Sequence, residues 1–378
     1  MNFKLTTEQE MIKNMVREFT EKEVAPYDGE MDKKGEFPWH IIDKMRENDI
    51  FGIPFPEEYG GAGADAICEA ITLEELGRGS ASVAITLDAH MLCANPMHLF
   101  GTEEQKKKYL PDLVSGKKLG AFGLTEPCAG SDAAGIQTMA KLEGDHYVLN
   151  GRKAWITNFS VADVYIIAAK TNPDAGVKGI SAFIVEKGTP GFIIGDKEDK
   201  MGVRGSDTGE LIFDNCKIPK ENLLGSEGQG FKIAMIALDS GRMGVGAFGV
   251  GIAQHAMEEA IKYANQRTAF GKNIGKFQAI QFMIADMATE IAAARNLVYA
   301  AAFKRDCKER FSLEAAMAKL YSAEAAMKIT KNAIQVFGGY GYSREYPVER
   351  LLRDAKILEI GEGTSEILRM VIGGSMVK

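Results

Sequence analysis

Glu362 is a carboxylate set between Gly361 and Gly363 in the stretch ILEIGEGTSEI, residues 357–367, directly after an apolar run. Glycine weakens a regular element because it loses the most backbone freedom on folding. Two of them around an acid mean either a plain turn, or a backbone brought close to another molecule so that a carboxylate can be aimed as a base. Other stretches also combine residue types that do chemistry. LGAFGLTEPCAGSD, residues 119–132, ends a strand-like run in a loop of small residues. Such a loop decorates a hairpin, or presents N–H groups and hydroxyls to a phosphate or ring edge. Trp155-Ile156-Thr157-Asn158 sets a large aromatic beside a hydroxyl, which suits a flat heterocycle or equally a buried strand. Arg267-Thr268-Ala269-Phe270-Gly271-Lys272 gathers two cations and an aromatic just past a helix, where basic residues also complement the helix dipole. GGYGY, residues 338–342, sets glycines beside aromatics as a tight turn does. Gly244, Gly246 and Gly249 spell GxGxxG, yet they lie inside a helical pattern with no strand before them. A dinucleotide site is rejected there, and close helix packing is the reading that remains.

The elements that must position these residues fall into three textures. A chain of 378 residues with 46% hydrophobic and 26% charged residues is a globular protein of two or three domains. The net charge of −7 and the absence of a basic arm argue against nucleic acid. No run reaches about 18 apolar residues, so no membrane span is expected. The N-terminus lacks an apolar signal core and reads as a helix. Thr7 and Glu10 fit a capping box there, and Met11, Ile12, Met15, Val16 and Phe19 form an apolar face. Cys68, Cys93, Cys128, Cys216 and Cys307 are scattered without a CxxC pair, which suits reduced core thiols in a cytoplasm. Residues 1–118 read as a helical domain. Residues 119–225 carry short β-rich runs with turn signals and no helices between them, an antiparallel barrel or sandwich. Residues 226–378 return to long Ala- and Met-rich amphipathic helices, with Gly338 as a C′ stop, and form a four-helix bundle. The class is α+β.

LTEP…GSD, WITN, FKIAMIALDSGR, RTAFGK, QVFGGYGY and EGTSE occur in that order over essentially the whole chain. In this the sequence resembles the acyl-CoA dehydrogenases, and among them the short-chain and butyryl-CoA members. The resemblance implies FAD between the β domain and the bundle. By position Phe122, Leu124, Thr125 and Ser131 should contact the flavin or its pyrophosphate, and Trp155 and Thr157 should flank the ring. Arg267 and Phe270 would reach the FAD of a neighbouring subunit in a homotetramer, joined by Gln278, Gln335 and Gly339. Thr364 and Glu366 should lie near the phosphate or adenosine part. Asp239 and Arg242 match positions that hold CoA, with Phe231 along the pantetheine channel. Glu362 matches the base that removes the proton α to the thioester carbonyl while a hydride leaves Cβ for the flavin. Some members carry the base on the bundle helix instead, where this chain has Gly241. An electron-transferring flavoprotein is the implied electron partner. No metal site is expected.

Two positions depart from the family's pattern. Gly361 stands where an aromatic, most often Tyr, packs over the acyl group, and its absence opens room of roughly a benzene ring. Asp88 stands on a segment lining the acyl end, where relatives have small or neutral residues; a surface or capping aspartate is the other reading. His90 and His98 on that segment read as core or surface histidines. Together Gly361 and Asp88 suggest a bulky or alicyclic acyl group, such as cyclohexane- or cyclohexene-carboxyl, with Asp88 as a second base or as partner to a polar acyl chain. The alternatives are an ordinary butyryl or short-chain dehydrogenase, the same chemistry run as an enoyl-CoA reductase, an oxidase or flavin monooxygenase on this fold, and a non-catalytic flavin- or CoA-binding relative.

Overall fold

Thr6, not Thr7, caps the first helix, α1 (Thr7–Phe19), in a computed structural model that describes residues 4–377. The Thr6 hydroxyl accepts from Gln9 N at 3.2 Å, and Gln9 Oε1 accepts from Thr6 N at 2.9 Å. The capping box is therefore displaced by one residue from Thr7 and Glu10. Adjacent threonines make both spacings plausible, and Gln9 has a further partner in Asp65 Oδ2 at 2.7 Å. The apolar face is narrower than its pattern: Val16 and Phe19 are buried, whereas Met11 and Met15 are exposed.

Helices α2 (Asp28–Lys34), α3 (Trp39–Glu47), α4 (Ala66–Gly79), α5 (Ala81–Phe100) and α6 (Glu103–Val114) complete the first helical region. Strands β1 (Gly120–Gly123), β2 (Met139–Glu143), β3 (His146–Thr157), β4 (Val164–Lys170), β5 (Ile180–Glu186), β6 (Phe192–Lys197), β7 (Thr208–Pro219) and β8 (Leu223–Leu224) follow. They form one sheet in the order β6–β7–β3–β2–β4–β5–β8, with β1 beside β4. The expected antiparallel pairing holds for most of it, but β1 and the end of β2 run parallel to β4. The long helix α7 (Gly230–Gln266) leads through a small hairpin, β9 (Thr268–Ala269) and β10 (Lys272–Asn273), to α8 (Gln278–Asp306) and α9 (Ser312–Phe337). Gly338 ends α9 at a φ of 60°, where glycine is free of Cβ strain. Helices α10 (Val348–Ala355) and α11 (Ser365–Met376) close the chain.

Helix α7 is the axis of the molecule, packed against α4 and α5 on one side and α8 and α9 on the other. It is apolar and long enough to pass for a membrane helix by composition, but 83% of its most apolar window is buried within the protein. Glycines let it be approached at backbone distance. A Cβ on Gly251 would lie 2.1 Å from Glu74 O, and one on Gly77 would lie 2.6 Å from Phe248 O. The GxGxxG spacing is thus a packing surface: Gly246 faces Val298 of α8 and the backbone of α9, and Gly249 faces Ser322 of α9. Cys68, Cys93 and Cys216 are core residues as expected, while Cys128 and Cys307 are exposed, a correction that follows from their place in loops.

Helix α10, which delivers the chain to Glu362, is tied to both other regions. Arg350 Nε donates to Asp28 Oδ2 at 2.6 Å, and Arg353 grips Asp32 with both terminal nitrogens at 2.7 Å. Asp354 Oδ1 accepts from Val203 N at 2.6 Å. Burial first, and then the Asp28 charge, raise the Asp354 carboxyl to about 7. A carboxyl raised in the folded state helps stability below its unfolded pKa and loses that benefit as pH climbs through the folded value. Asp354→Asn keeps the acceptor without the charge. Its thermal midpoint should exceed that of the unsubstituted protein at pH 8, with the advantage fading toward pH 4; unfolding scans at the two pH values measure this.

Candidate active site

Glu362 sits in the turn between a 3₁₀ segment, Lys356–Glu359, and α11. Its φ is 56° and that of Gly363 is 105°, both in the region that side chains disfavour. For a residue with a side chain such a conformation costs on the order of 1–3 kcal/mol and persists only where its surroundings impose it. Here they do. Arg242 Nε donates to Glu362 O at 3.3 Å, and Lys319 Nζ donates to Gly363 O at 2.5 Å. Thr364 Oγ1 then caps α11, accepting from Ile367 N at 3.3 Å. Glu362 is partly accessible as a residue, yet its Oε2 is cut off from solvent and has no hydrogen-bond partner.

That oxygen lies in a notch of α7. A Cβ on Gly241 would stand 2.2 Å from Glu362 Oε2 and 2.8 Å from Leu92 Cδ2. A base carried at position 241 and this pose of Glu362 therefore exclude each other. One helical turn on, a Cβ on Gly244 would stand 1.9 Å from Asp88 Oδ1. Asp88 is 2% exposed, on the inner face of α5, with Oδ2 unpartnered. The surface or capping reading of Asp88 is thereby corrected: it faces Glu362 in a dry niche. Burial first, and then the neighbouring Glu362 carboxylate, push the Asp88 carboxyl well above its usual range. Burial also raises Glu362, opposed by the neighbouring Asp88 carboxyl and by the charges of Lys319 and Arg242. The surroundings thus disfavour the charge of Asp88 more than that of Glu362, which has two cations near it.

Gly361 needs neither positive φ nor close approach, since a Cβ there would meet only Ile357, at 3.5 Å or more. It leaves the residue before the base without a side chain. Asp239 and Arg242 are buried as an ion pair at 2.9 Å, and Ser312 Oγ donates to Asp239. Both histidines are structural: His90 Nδ1 accepts from Gly120 N at 3.0 Å, and His98 packs edge-on against Phe55 and Tyr59.

Phe122, Leu124 and Phe231 share one apolar cluster, which brings the end of β1 against the start of α7. Beside it β3 is bulged and lifts Trp155, at a φ of 60°, to 59% exposure. Asn158 fixes the end of that strand, donating to Thr86 O at 3.0 Å and Gly120 O at 3.1 Å. Half-buried Thr125 and Thr157 and exposed Ser131 complete a face with an aromatic plane and several hydroxyls. A flat polar heterocycle with an anionic tail fits such a donor set. Sequence reasoning missed what braces this face: buried Glu126 accepts from Lys153 Nζ at 2.7 Å and from Thr138 N at 3.0 Å, and Gln137 N donates to it as well. Arg267 and Gly339 line a separate cleft of about 480 Å³ with Tyr263, Phe337 and Tyr340. The Arg267 guanidinium lies over the Tyr340 ring at 5.6 Å. Phe270, at the hairpin tip, is 93% exposed with a φ of 50°. Gln278 and Gln335 are exposed at the start of α8 and the end of α9, and Glu366 is exposed in the first turn of α11.

Comparison with known proteins places these features in a family. Residues 6–117, 121–216 and 228–377 match the models of the acyl-CoA dehydrogenase N-terminal, middle and C-terminal domains. The chain is 50% identical to a short-chain-specific acyl-CoA dehydrogenase of Clostridium acetobutylicum, over 100% of both. It superposes on the butyryl-CoA dehydrogenase of Megasphaera elsdenii with a TM-score of 0.98, at 51% identity over 100% of both chains. A chain solved in work on the electron transferring flavoprotein of Acidaminococcus fermentans matches with a TM-score of 0.99, at 52% identity over 100% of both.

The notch geometry makes a paired expectation. Gly244→Ala forces a methyl group onto the Asp88 carboxyl and should destabilise the protein by about 1–3 kcal/mol. Adding Asp88→Ala should recover most of that loss, and a double-mutant cycle by urea unfolding measures the coupling.

Proposed function

The chain belongs to the acyl-CoA dehydrogenase family, whose members are FAD-dependent oxidoreductases, and on that footing we propose that it dehydrogenates the CoA thioester of a bulky, alicyclic acyl group such as cyclohexane- or cyclohexene-carboxyl. The observation that carries the reading is the niche on α7: two carboxyls meet there, Glu362 beside Gly241 and Asp88 beside Gly244, and Gly361 puts no side chain next to the base.

Glu362 takes the proton from Cα. A C–H beside a thioester is a weak acid, so the base must be ionised yet poorly solvated, and the raised pKa of a buried carboxylate suits the task. The resemblance sets the thioester oxygen against the Glu362 N–H, which would stabilise the developing enolate. Arg242 and Asp239 would bind the CoA part near the turn that Arg242 already holds, with Phe231 along the channel. FAD, when bound, supplies the acceptor for the hydride that leaves Cβ. Phe122, Leu124, Thr125, Ser131, Trp155 and Thr157 would hold it from the β side, with Thr364 and Glu366 near its phosphate or adenosine part. Arg267, Phe270, Gln278, Gln335 and Gly339 would meet the cofactor of a neighbouring subunit in a homotetramer. The protruding Phe270 and the open cleft at Arg267 support that arrangement. Electrons would pass to an electron-transferring flavoprotein, in a cytoplasmic setting that suits five free thiols.

Asp88 would stand at carbons remote from Cα. Once ionised it is the stronger base of the pair, because the burial and the Glu362 charge that disfavour its anion also raise its proton affinity. The rival reading is a short-chain dehydrogenase, favoured by the names of the relatives at about half identity.

Anaerobic spectral titration separates the two. Cyclohexane- and cyclohexene-carboxyl-CoA should bleach the flavin at far lower concentration than butyryl-CoA, and the opposite order supports the short-chain reading. Glu362→Gln should slow bleaching by about 10²–10⁴-fold with either thioester. Asp88→Asn should slow turnover of the cyclic thioesters alone, most at alkaline pH; turnover of every thioester at the unsubstituted rate ends the second-base idea.

A further inference from the structure

We infer that Lys319 is a positioning residue for the base: from inside α9 it holds the Gly363 carbonyl and so keeps Glu362 both aimed and ionised. The inference rests on Glu362 being the base. Lys319 is fully buried on the apolar face of α9, among Ala315, Ala316, Ser322 and Ala323. An ammonium in such a place is expensive unless its charge and donors are used. Among the described residues it makes no ion pair within 4.0 Å, and its one hydrogen bond is to Gly363 O at 2.5 Å. Its charge therefore acts on the turn above it.

Arg242, the other cation at the turn, differs in that Asp239 already offsets its charge at 2.9 Å. The groups facing Glu362 are Asp88 from α5, Arg242 with Asp239 from α7, and Lys319 from α9. Those facing Lys319 are Glu362, Glu359, Glu366 and Arg242. Lys319 is thus the one cation of the set without a carboxylate in contact. The strained φ of 56° at Glu362 is the kind of conformation that needs such a tie. Burial pulls the amine down to about 8, so the tie carries its charge at neutral pH and loses it in alkali.

The test is an infrared titration of the FAD-loaded protein without substrate, following the protonated-carboxyl band that Glu362→Gln removes. Lys319→Met should move the midpoint of that band upward by about one pH unit, since an opposite charge favours the anion and its loss favours the acid. Lys319→Gln, which keeps an N–H donor, should show the same shift with a smaller fall in kcat. The acid limb of the kcat profile should move with the band. An unshifted band in either folded variant overturns the role of Lys319. Should both variants fail to fold, the unsubstituted protein still decides: the carbonyl stretch of isotopically labelled glycine at position 363 should rise in frequency as Lys319 loses its charge near pH about 8, and a stretch unchanged to alkaline pH overturns the tie. Exchange of the α-proton of a bound acyl-CoA that persists in Glu362→Gln refutes instead the assignment of the base.

Discussion

Two carboxyl groups buried side by side disfavour each other's charge, and that constraint organises the centre of this molecule. Burial raises the proton affinity of both. What separates them is the asymmetry of their surroundings. Asp88 has neighbouring anions and apolar helix around it, whereas Glu362 has the charges of Lys319 and Arg242 to favour its anion. The carboxylate so favoured is the one on the turn that can meet a ligand.

The scaffold serves that niche from several directions. Helix α7 gives up side chains at Gly241 and Gly244 so that the oxygens have somewhere to lie. Its glycines farther along admit α4 and α9 at close range, which brings α5 with Asp88 to one flank and Lys319 to the other. Helix α10 is pinned through Asp28, Asp32 and Val203 to the other two regions, so the turn that follows it starts from a fixed place. The left-handed backbone at Glu362 is then imposed by bonds to its own carbonyl and to that of Gly363. The same device recurs on the β side, where Trp155 is held at positive φ on a bulged strand that Asn158 locks from below.

The reach of sequence reasoning can be followed residue by residue. The change from helix to strand and back was legible, because a hydrophobic period of two and a period of 3.6 are properties of the chain itself. Glu362 stood out because glycines flank it. Position was less secure: the capping box lies at Thr6 and Gln9, since neighbouring threonines carry nearly the same local signal. Met11 and Met15 fit the apolar stripe but face solvent, as an amphipathic pattern does not say how wide the covering layer is. Lys319 had a faint signature, a lysine in step with buried alanines at three- and four-residue spacing. Glu126 and Lys153 had none, being polar residues whose partner lies across a loop.

By itself the sequence determined the order of elements, the family, and the presence of an acid where the backbone is free to turn. Each of these is carried by residue types at short spacing. Only the tertiary structure decided that Asp88 faces Glu362, that Gly241 and Gly244 are the cavities for their oxygens, and that Lys319 lies beneath the turn. These residues are brought together from α5, α7, α9 and the turn before α11. Charge, burial and proton sharing belong to distances in space, and no spacing along the chain encodes them.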